Sequence, residues 1–209
     1  MQYYRVLAVL RTSRIDLRNF FSVTGMQTLS DIAMFLKRQP HIMTLLAAVQ
    51  ALGIEDCWVG AGLIRNAVWN HLHGFPIDLV PGSDVDVVYW DSKEASPARD
   101  LSIEARLLAK HSDVRWSVHN QARMHICNGD PPYLNVFDAV RCWPETATAI
   151  AARIEGGRVQ VLAPHGVGDL VGLIVRPTPA FARRMAAYQE RIARKDWKRR
   201  WPNLRFIGQ

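Results

Sequence analysis

Asp84 and Asp86 stand two residues apart in the run Asp84-Val85-Asp86-Val87-Val88-Tyr89. In an extended strand the side chains alternate, so both carboxylates share one face while Val85 and Val87 turn to the other, toward a core. Two carboxylates side by side repel each other and resist ionising together. A divalent cation removes that cost. Magnesium takes carboxylate and phosphate oxygens and keeps part of its water shell. Two such ions about 3.5–4 Å apart can activate an attacking oxygen and stabilise a leaving pyrophosphate. A bare D-x-D also occurs on ordinary solvated strand edges. Here two features raise its weight: the run continues as an apolar strand, and a glycine turn lies upstream.

That turn is Gly60-Ala61-Gly62, between an apolar strand at Cys57–Val59 and a helix expected at Leu63–Leu72. Glycine lets a backbone approach a ligand closely, and a helix N-terminus presents free N–H groups at the positive end of its dipole. Together they suit a triphosphate, and Arg65, one turn into the helix, would add a charged donor. The turn matches neither the P-loop nor the full dinucleotide fingerprint.

Strand, G-x-G, helix and then a strand opening with D-x-D is the layout of the DNA polymerase β-like nucleotidyltransferase superfamily, which this sequence resembles at Val59–Gly62 and Asp84–Val87. The gap from Gly62 to Asp84 is longer than usual there, and the loop Gly74–Pro81 would absorb the excess. The segments Val59–Asn66, Ser83–Tyr89, His119–His125, Trp143–Ala149, Ala163–Gly166 and Arg176–Pro179 are similar to a bacterial family of uncharacterised nucleotidyltransferases, across about residues 28 to 205. The resemblance implies that family's fold and transfer of a nucleoside monophosphate from a nucleoside triphosphate to a hydroxyl-bearing acceptor, with release of pyrophosphate. With the acidic pair and the glycine turn, the expected site has magnesium or manganese held by Asp84 and Asp86, and a nucleotide held by Gly60, Ala61, Gly62, Arg65 and Ser83. It names no acceptor.

Superfamily members commonly carry a third acid on a later strand. Here that strand is expected at Val114–His119, running into Asn120, and holds no acid. Asp113 at its start and Asp138 further on are poor matches. Asn120, Gln121, Arg123 and His125 cluster in its place. Asn120 is expected to ligate a metal or orient a hydroxyl, Arg123 to pair with phosphate, and His119 or His125 to act as a base. The expected catalytic set is therefore Asp84, Asp86, Asn120 and Arg123. Glu145, after Trp143-Pro144, reads as capping or packing. His71 and His73, two apart on a helix, face different ways and read as structural.

The elements that must position these residues read as an α+β fold, a mixed sheet covered by helices, with a hairpin and a basic C-terminal helix. Helices are expected at Leu29–Arg38, capped by Thr28 or Ser30 and ended by Pro40, at Ile42–Leu52, stopped by Gly53, and at Pro97–Lys110. Ala149–Ile154 and Arg158–Leu162 flank Gly156-Gly157, a hairpin signal. Pro179–Arg194 reads as a basic amphipathic helix, and Trp197 and Trp201 as caps on the core. No repeat divides the chain, so residues 28–209 form one expected domain. Residues 1–27 read as an extension, poorly ordered or a mis-called start.

Composition bounds the rest. Of 209 residues 49% are hydrophobic, which suits a folded globular protein, and no apolar run approaches the roughly 20 residues of a membrane span. Val6–Leu10 is too short for a secretory core. Cys57, Cys127 and Cys142 form no C-x-x-C pair and suit free thiols in a reducing cytoplasm. The net charge of +7 owes much to the last thirty residues, from Arg183 to Arg205. Such a stripe draws in nucleic acid or is simply a solvated face. A small-molecule acceptor therefore ranks ahead of RNA, and a nucleotide-binding module that has lost its chemistry is the remaining alternative.

Overall fold

The computed structural model describes residues 25–79 and 83–208. Helices α1 (Leu29–Lys37) and α2 (Pro40–Gln50) come first, then strand β1 (Cys57–Gly60) and helix α3 (Gly62–Leu72). Strand β2 (Val85–Tyr89), helix α4 (Pro97–Leu108), strand β3 (Trp116–Asn120) and helices α5 (Gln121–Asn128) and α6 (Val136–Arg141) follow. The hairpin is β4 (Ala151–Glu155) and β5 (Arg158–Leu162). The chain closes with α7 (Gly168–Val171), β6 (Ile174–Val175), a 3₁₀ turn at Phe181–Arg183, α8 (Met185–Lys195), α9 (Trp197–Arg200) and β7 (Arg205–Phe206).

The five main strands form one sheet in the order β3-β2-β1-β4-β5. Within this sheet only β2 and β3 run parallel, and α4 makes the crossover between them; β6 and β7 form a separate parallel pair. The mixed α/β architecture expected from the sequence is the one observed. Alternation along β2 sorts its residues as predicted. Val85, Val87 and Tyr89 join Val59, Trp116 and Val118 in the larger core, under α1 to α4. Val88 falls on the other face with Trp58, Ala151 and Leu162, covered by Val136 and Val140 of α6. The acidic face of β2 is therefore the one with the thinner cover.

Local signals explain most boundaries. Thr28 caps α1 in a reciprocal box: its hydroxyl accepts from the Asp31 amide at 3.2 Å and the Asp31 carboxylate accepts from the Thr28 amide at 2.8 Å. Pro40, expected as a stop, also starts α2 at its first turn, where its missing N–H costs nothing. Gly156 and Gly157 both have positive φ, 54° and 73°, which closes a two-residue hairpin with the twist of its strands.

Two expectations need correction. The domain starts before residue 28, because Met26 is buried in the main core and the Gln27 amide donates to Asp31. Residues 1–24, most of the expected extension, lie outside the described residues, as do 80–82, which include the end of the expected Gly74–Pro81 loop. The basic helix begins at Met185 rather than Pro179, because Arg184 takes φ −130° and ψ 45° and separates the 3₁₀ turn from α8. The two tryptophans do cap the core. Trp197 and Trp201 pack edge-on against Trp69, with centroids at 5.5 and 5.1 Å, and Trp201 Nε1 donates to Asn70 Oδ1 at 3.0 Å. They thereby clamp α3, the helix that begins at the glycine turn. Among the described residues no helix is long and apolar enough to cross a membrane.

Candidate active site

Strand β2 delivers Asp86 to a cleft of about 240 Å³. Its polar walls come from Asp86, His119, Thr148 and Arg191, its apolar walls from Trp143 and Phe181. Asp84 stands just before the strand, about half exposed, with Arg115 Nε at 3.1 Å from Oδ1. An exposed pair of this kind contributes little and leaves the carboxylate available. Asp86 is half-buried within the strand. Burial pushes its carboxyl above the ordinary aspartate range; His119 pulls it back and the Asp84 charge raises it further. A carboxylate whose ionisation burial disfavours is thus held where a cation would relieve it.

The glycine turn meets this pair. A β-carbon at Gly62 would lie 4.0 Å from the Asp84 carbonyl oxygen, so turn and acidic strand are in contact. Ala61 takes φ 41° and ψ −101°, a strained conformation for a residue with a side chain, and its amide donates to Ile150 O at 2.8 Å. No side chain caps α3, and Ala61, its N-cap residue, lines the cleft, so no side chain occupies the first-turn amides. Ser83 is half-buried beside Asp84.

Other expected site residues are employed elsewhere. Gly60 is a glycine for packing: an added β-carbon would meet Trp143 Cη2 at 2.6 Å. An indole, not a phosphate, occupies its open face. Arg65 is only 6% exposed; Nη1 donates to Thr148 at 3.0 Å and Nη2 to Asn66 Oδ1 at 2.8 Å. It reaches the cleft through Thr148 rather than directly.

Asn120 is not a metal ligand in this arrangement. Its side chain is fully buried; Oδ1 accepts from the amides of Asp91 and Ala122, and Nδ2 donates to the carbonyls of Asp91 and Glu94. Every donor and acceptor it has is spent capping α5 and tying down the 91–94 loop. Arg123 likewise faces away: it pairs with the buried Asp100, while the α5 residues on the cleft are Gln121, Met124 and Asn128. Cap chemistry and helix phase, invisible in a list of polar types, decide both. His125 lies off the cleft beside Tyr133, at 6.1 Å between rings, whereas His119 lines it. His71 and His73 are structural: His71 packs on Phe35, and His73 Nδ1 bonds to Trp69 O at 2.8 Å.

The β2–β3 register puts Ser117 beside Asp86 and His119 beside Val88, on the acidic face. Ser117 Oγ and His119 Nε2 are 3.1 Å apart. The neighbouring strand thus offers a hydroxyl and an imidazole where an acid was expected. Among the described residues no three of His, Cys, Asp and Glu gather to hold a metal. The donor set still fits magnesium, which needs only one or two carboxylates when water and phosphate complete its shell.

Sequence reasoning missed the opposite wall. Arg191 of α8 lines the cleft, held by Glu145, which is fully buried at 2.6 Å from Arg191 Nε. Glu145 is thus a packing residue as expected, though its partner was not foreseen. The signal was present: Arg184, Arg191 and Lys195 repeat at helical spacing along one face of the basic segment.

A mixed sheet that sets a strand–glycine turn–helix beside an acidic strand is the polymerase β-like nucleotidyltransferase fold. The chain belongs to a nucleotidyltransferase family, described by that word alone, whose sequence profile matches residues 47–206. It is similar to an NMR structure described as revealing a CCA-adding enzyme head domain, with 29% identity and a TM-score of 0.78 over 88% of this chain and 98% of that one. It also shares the fold of the Thermotoga maritima CCA-adding enzyme complexed with tRNA, at 14% identity and a TM-score of 0.54. That match covers 87% of this chain but only 42% of the other. No curated protein matches the sequence.

Proposed function

We propose that this protein transfers a nucleoside monophosphate from a nucleoside triphosphate to a hydroxyl group of a small-molecule acceptor. The acceptor oxygen bonds to the α-phosphorus, the bond from that phosphorus to the bridging oxygen breaks, and pyrophosphate leaves with the electron pair. One observation carries the reading: the backbone of Asp84, at the start of the acidic strand, lies beside the uncapped N-terminus of α3, where a β-carbon on Gly62 would be 4.0 Å from the Asp84 carbonyl oxygen. Carboxylates suited to a cation and amides suited to phosphate are thereby carried by neighbouring segments.

Asp84 and Asp86 would hold magnesium or manganese, which supplies charge neutralisation at the phosphates and activation of the attacking hydroxyl. The strained Ala61 turn aims the first amides of α3 at the phosphates. His119, steadied by Ser117, takes the acceptor proton. Trp143 and Phe181 give the cleft an apolar side, and its volume of about 240 Å³ favours a small acceptor.

An RNA acceptor is the second reading. It is favoured by the 29% identity to a CCA-adding enzyme head domain and by the exposed Arg194, Lys198, Arg199 and Arg200. RNA binding that falls steeply with salt supports it, and salt-insensitive or absent binding removes it.

The test of transfer itself is incubation of the protein with each triphosphate, labelled at the α-phosphate, with magnesium and a panel of hydroxyl compounds. Label appearing on an acceptor, with stoichiometric pyrophosphate, supports the proposal. Tight triphosphate binding with no release under any acceptor points instead to a binding module.

A further inference from the structure

The wall facing Asp86 carries more positive charge than the protein balances. Arg65 is buried with only neutral hydrogen-bond partners, Asn66 and Thr148. It stacks on Trp197 at 4.3 Å and on Trp69 at 5.1 Å. Arg191 approaches the same Trp197 ring at 5.9 Å. Lys195 follows one helical turn after Arg191 and lies within electrostatic reach of Arg65 and Asp86. Against these three cations stand two carboxylates, Glu145, already paired with Arg191, and Asp86 across the cleft.

Burial without an ionic partner is costly for a guanidinium and persists where a ligand or neighbour compensates it. The cost is visible at Arg65, whose pKa burial pushes down to about 10; the Glu145 charge opposes that shift and the Arg191 charge adds to it. Lys195 is lowered as well, by burial first and then by Arg191 and Arg65. Both would be relieved by an anion in the cleft.

Resting on the transferase reading above, we infer that Arg191 and Lys195 of α8, backed by Arg65, bind the polyphosphate arm of the triphosphate and the pyrophosphate it becomes. A β,γ-diphosphate carries the multiple charges this wall lacks. Thr148, held by Arg65, offers a hydroxyl on the same side of the cleft. Glu145 is a positioning residue: its fully buried carboxylate fixes the Arg191 guanidinium. The basic C-terminal helix thus serves, on this face, as a substrate wall.

Calorimetry with inorganic triphosphate in chelator tests this without metal or catalysis. Lys195→Gln, one turn beyond Arg191 and at the rim of the wall, is expected to weaken binding about threefold. The paired change Glu145→Gln with Arg191→Gln keeps a neutral hydrogen-bonded pair and is expected to weaken it tenfold or more. Lys110→Gln, away from the cleft, leaves it unchanged. Binding within twofold of the parent in both the Lys195 and the Glu145–Arg191 variants, or no binding of triphosphate by the parent, overturns the inference. If binding falls as expected while no acceptor ever yields pyrophosphate, the transferase reading fails and the anion wall stands.

Discussion

Gly60 lies against the indole of Trp143: a β-carbon added there would sit 2.6 Å from Cη2 and 3.3 Å from Cζ3. The first glycine of the turn is thus fixed by a side chain that roofs the cleft. Gly60→Ala is expected to destabilise the fold by about 1–3 kcal/mol, as overpacking does. In urea unfolding, Gly60→Ala combined with Trp143→Leu should be more stable than the sum of the single changes implies. Simple additivity would show that the contact is slack.

Asp86 sets a dependence on pH. Its folded-state pKa is raised above 3.8, chiefly by burial, so folding favours its protonated form. Stability from this group is present below that ordinary value and is lost as pH rises through the raised one. Without metal, Asp86→Asn should therefore melt at a higher temperature than the parent at pH 7, with the gap closing near pH 3. Adding magnesium at pH 7 should narrow the gap by stabilising the parent alone. Equal melting points at pH 7 in chelator would contradict the assignment.

Asn120 separates structural from catalytic importance. Asn120→Ala strands buried groups at Asp91, Glu94 and Ala122, each costing about 1–3 kcal/mol if left unpaired. Denaturant unfolding should show a loss at the upper end of that range or more. The folded fraction should keep kcat within about threefold of the parent, because the group touches no reacting atom. A well-folded variant with kcat down a hundredfold would return Asn120 to the catalytic set.

Ala61 stores strain at the site. A β-branched side chain tolerates φ near +41° poorly, so Ala61→Val should cost about 1–3 kcal/mol in thermal unfolding and weaken nucleotide binding. An unchanged melting point would mean that the turn relaxes freely.

Periodicity made much of this molecule legible in its sequence. The alternation in Asp84–Tyr89 predicted which β2 residues enter the core, and Gly156-Gly157 predicted the hairpin, because both depend on neighbours within a few residues. The acidic pair and the turn before α3 were readable for the same reason. What failed was partner choice across the chain. Asn120 and Arg123 are polar residues in a promising segment, yet Asp91 and Asp100, tens of residues away in sequence, use them for packing. Arg191 was hidden because its meaning depends on Glu145, 46 residues earlier, and on the rotation of α8. The start of α8 was misplaced because Arg184 breaks the helix with a backbone turn that carries neither proline nor glycine.

The central claim is that the Asp84–Asp86 face supports nucleotidyl transfer. It is tested most directly by pyrophosphate release, with magnesium and an acceptor found by the labelling screen, in the parent, Asp86→Asn and Asp84→Asn. Losing a residue that only orients a metal ligand costs about 10–100-fold, so losing a carboxylate ligand itself should lower turnover by more than about 100-fold. Both variants should remain folded, and Asp86→Asn should be at least as stable as the parent in chelator. Turnover near the parent rate in folded Asp86→Asn would contradict the account.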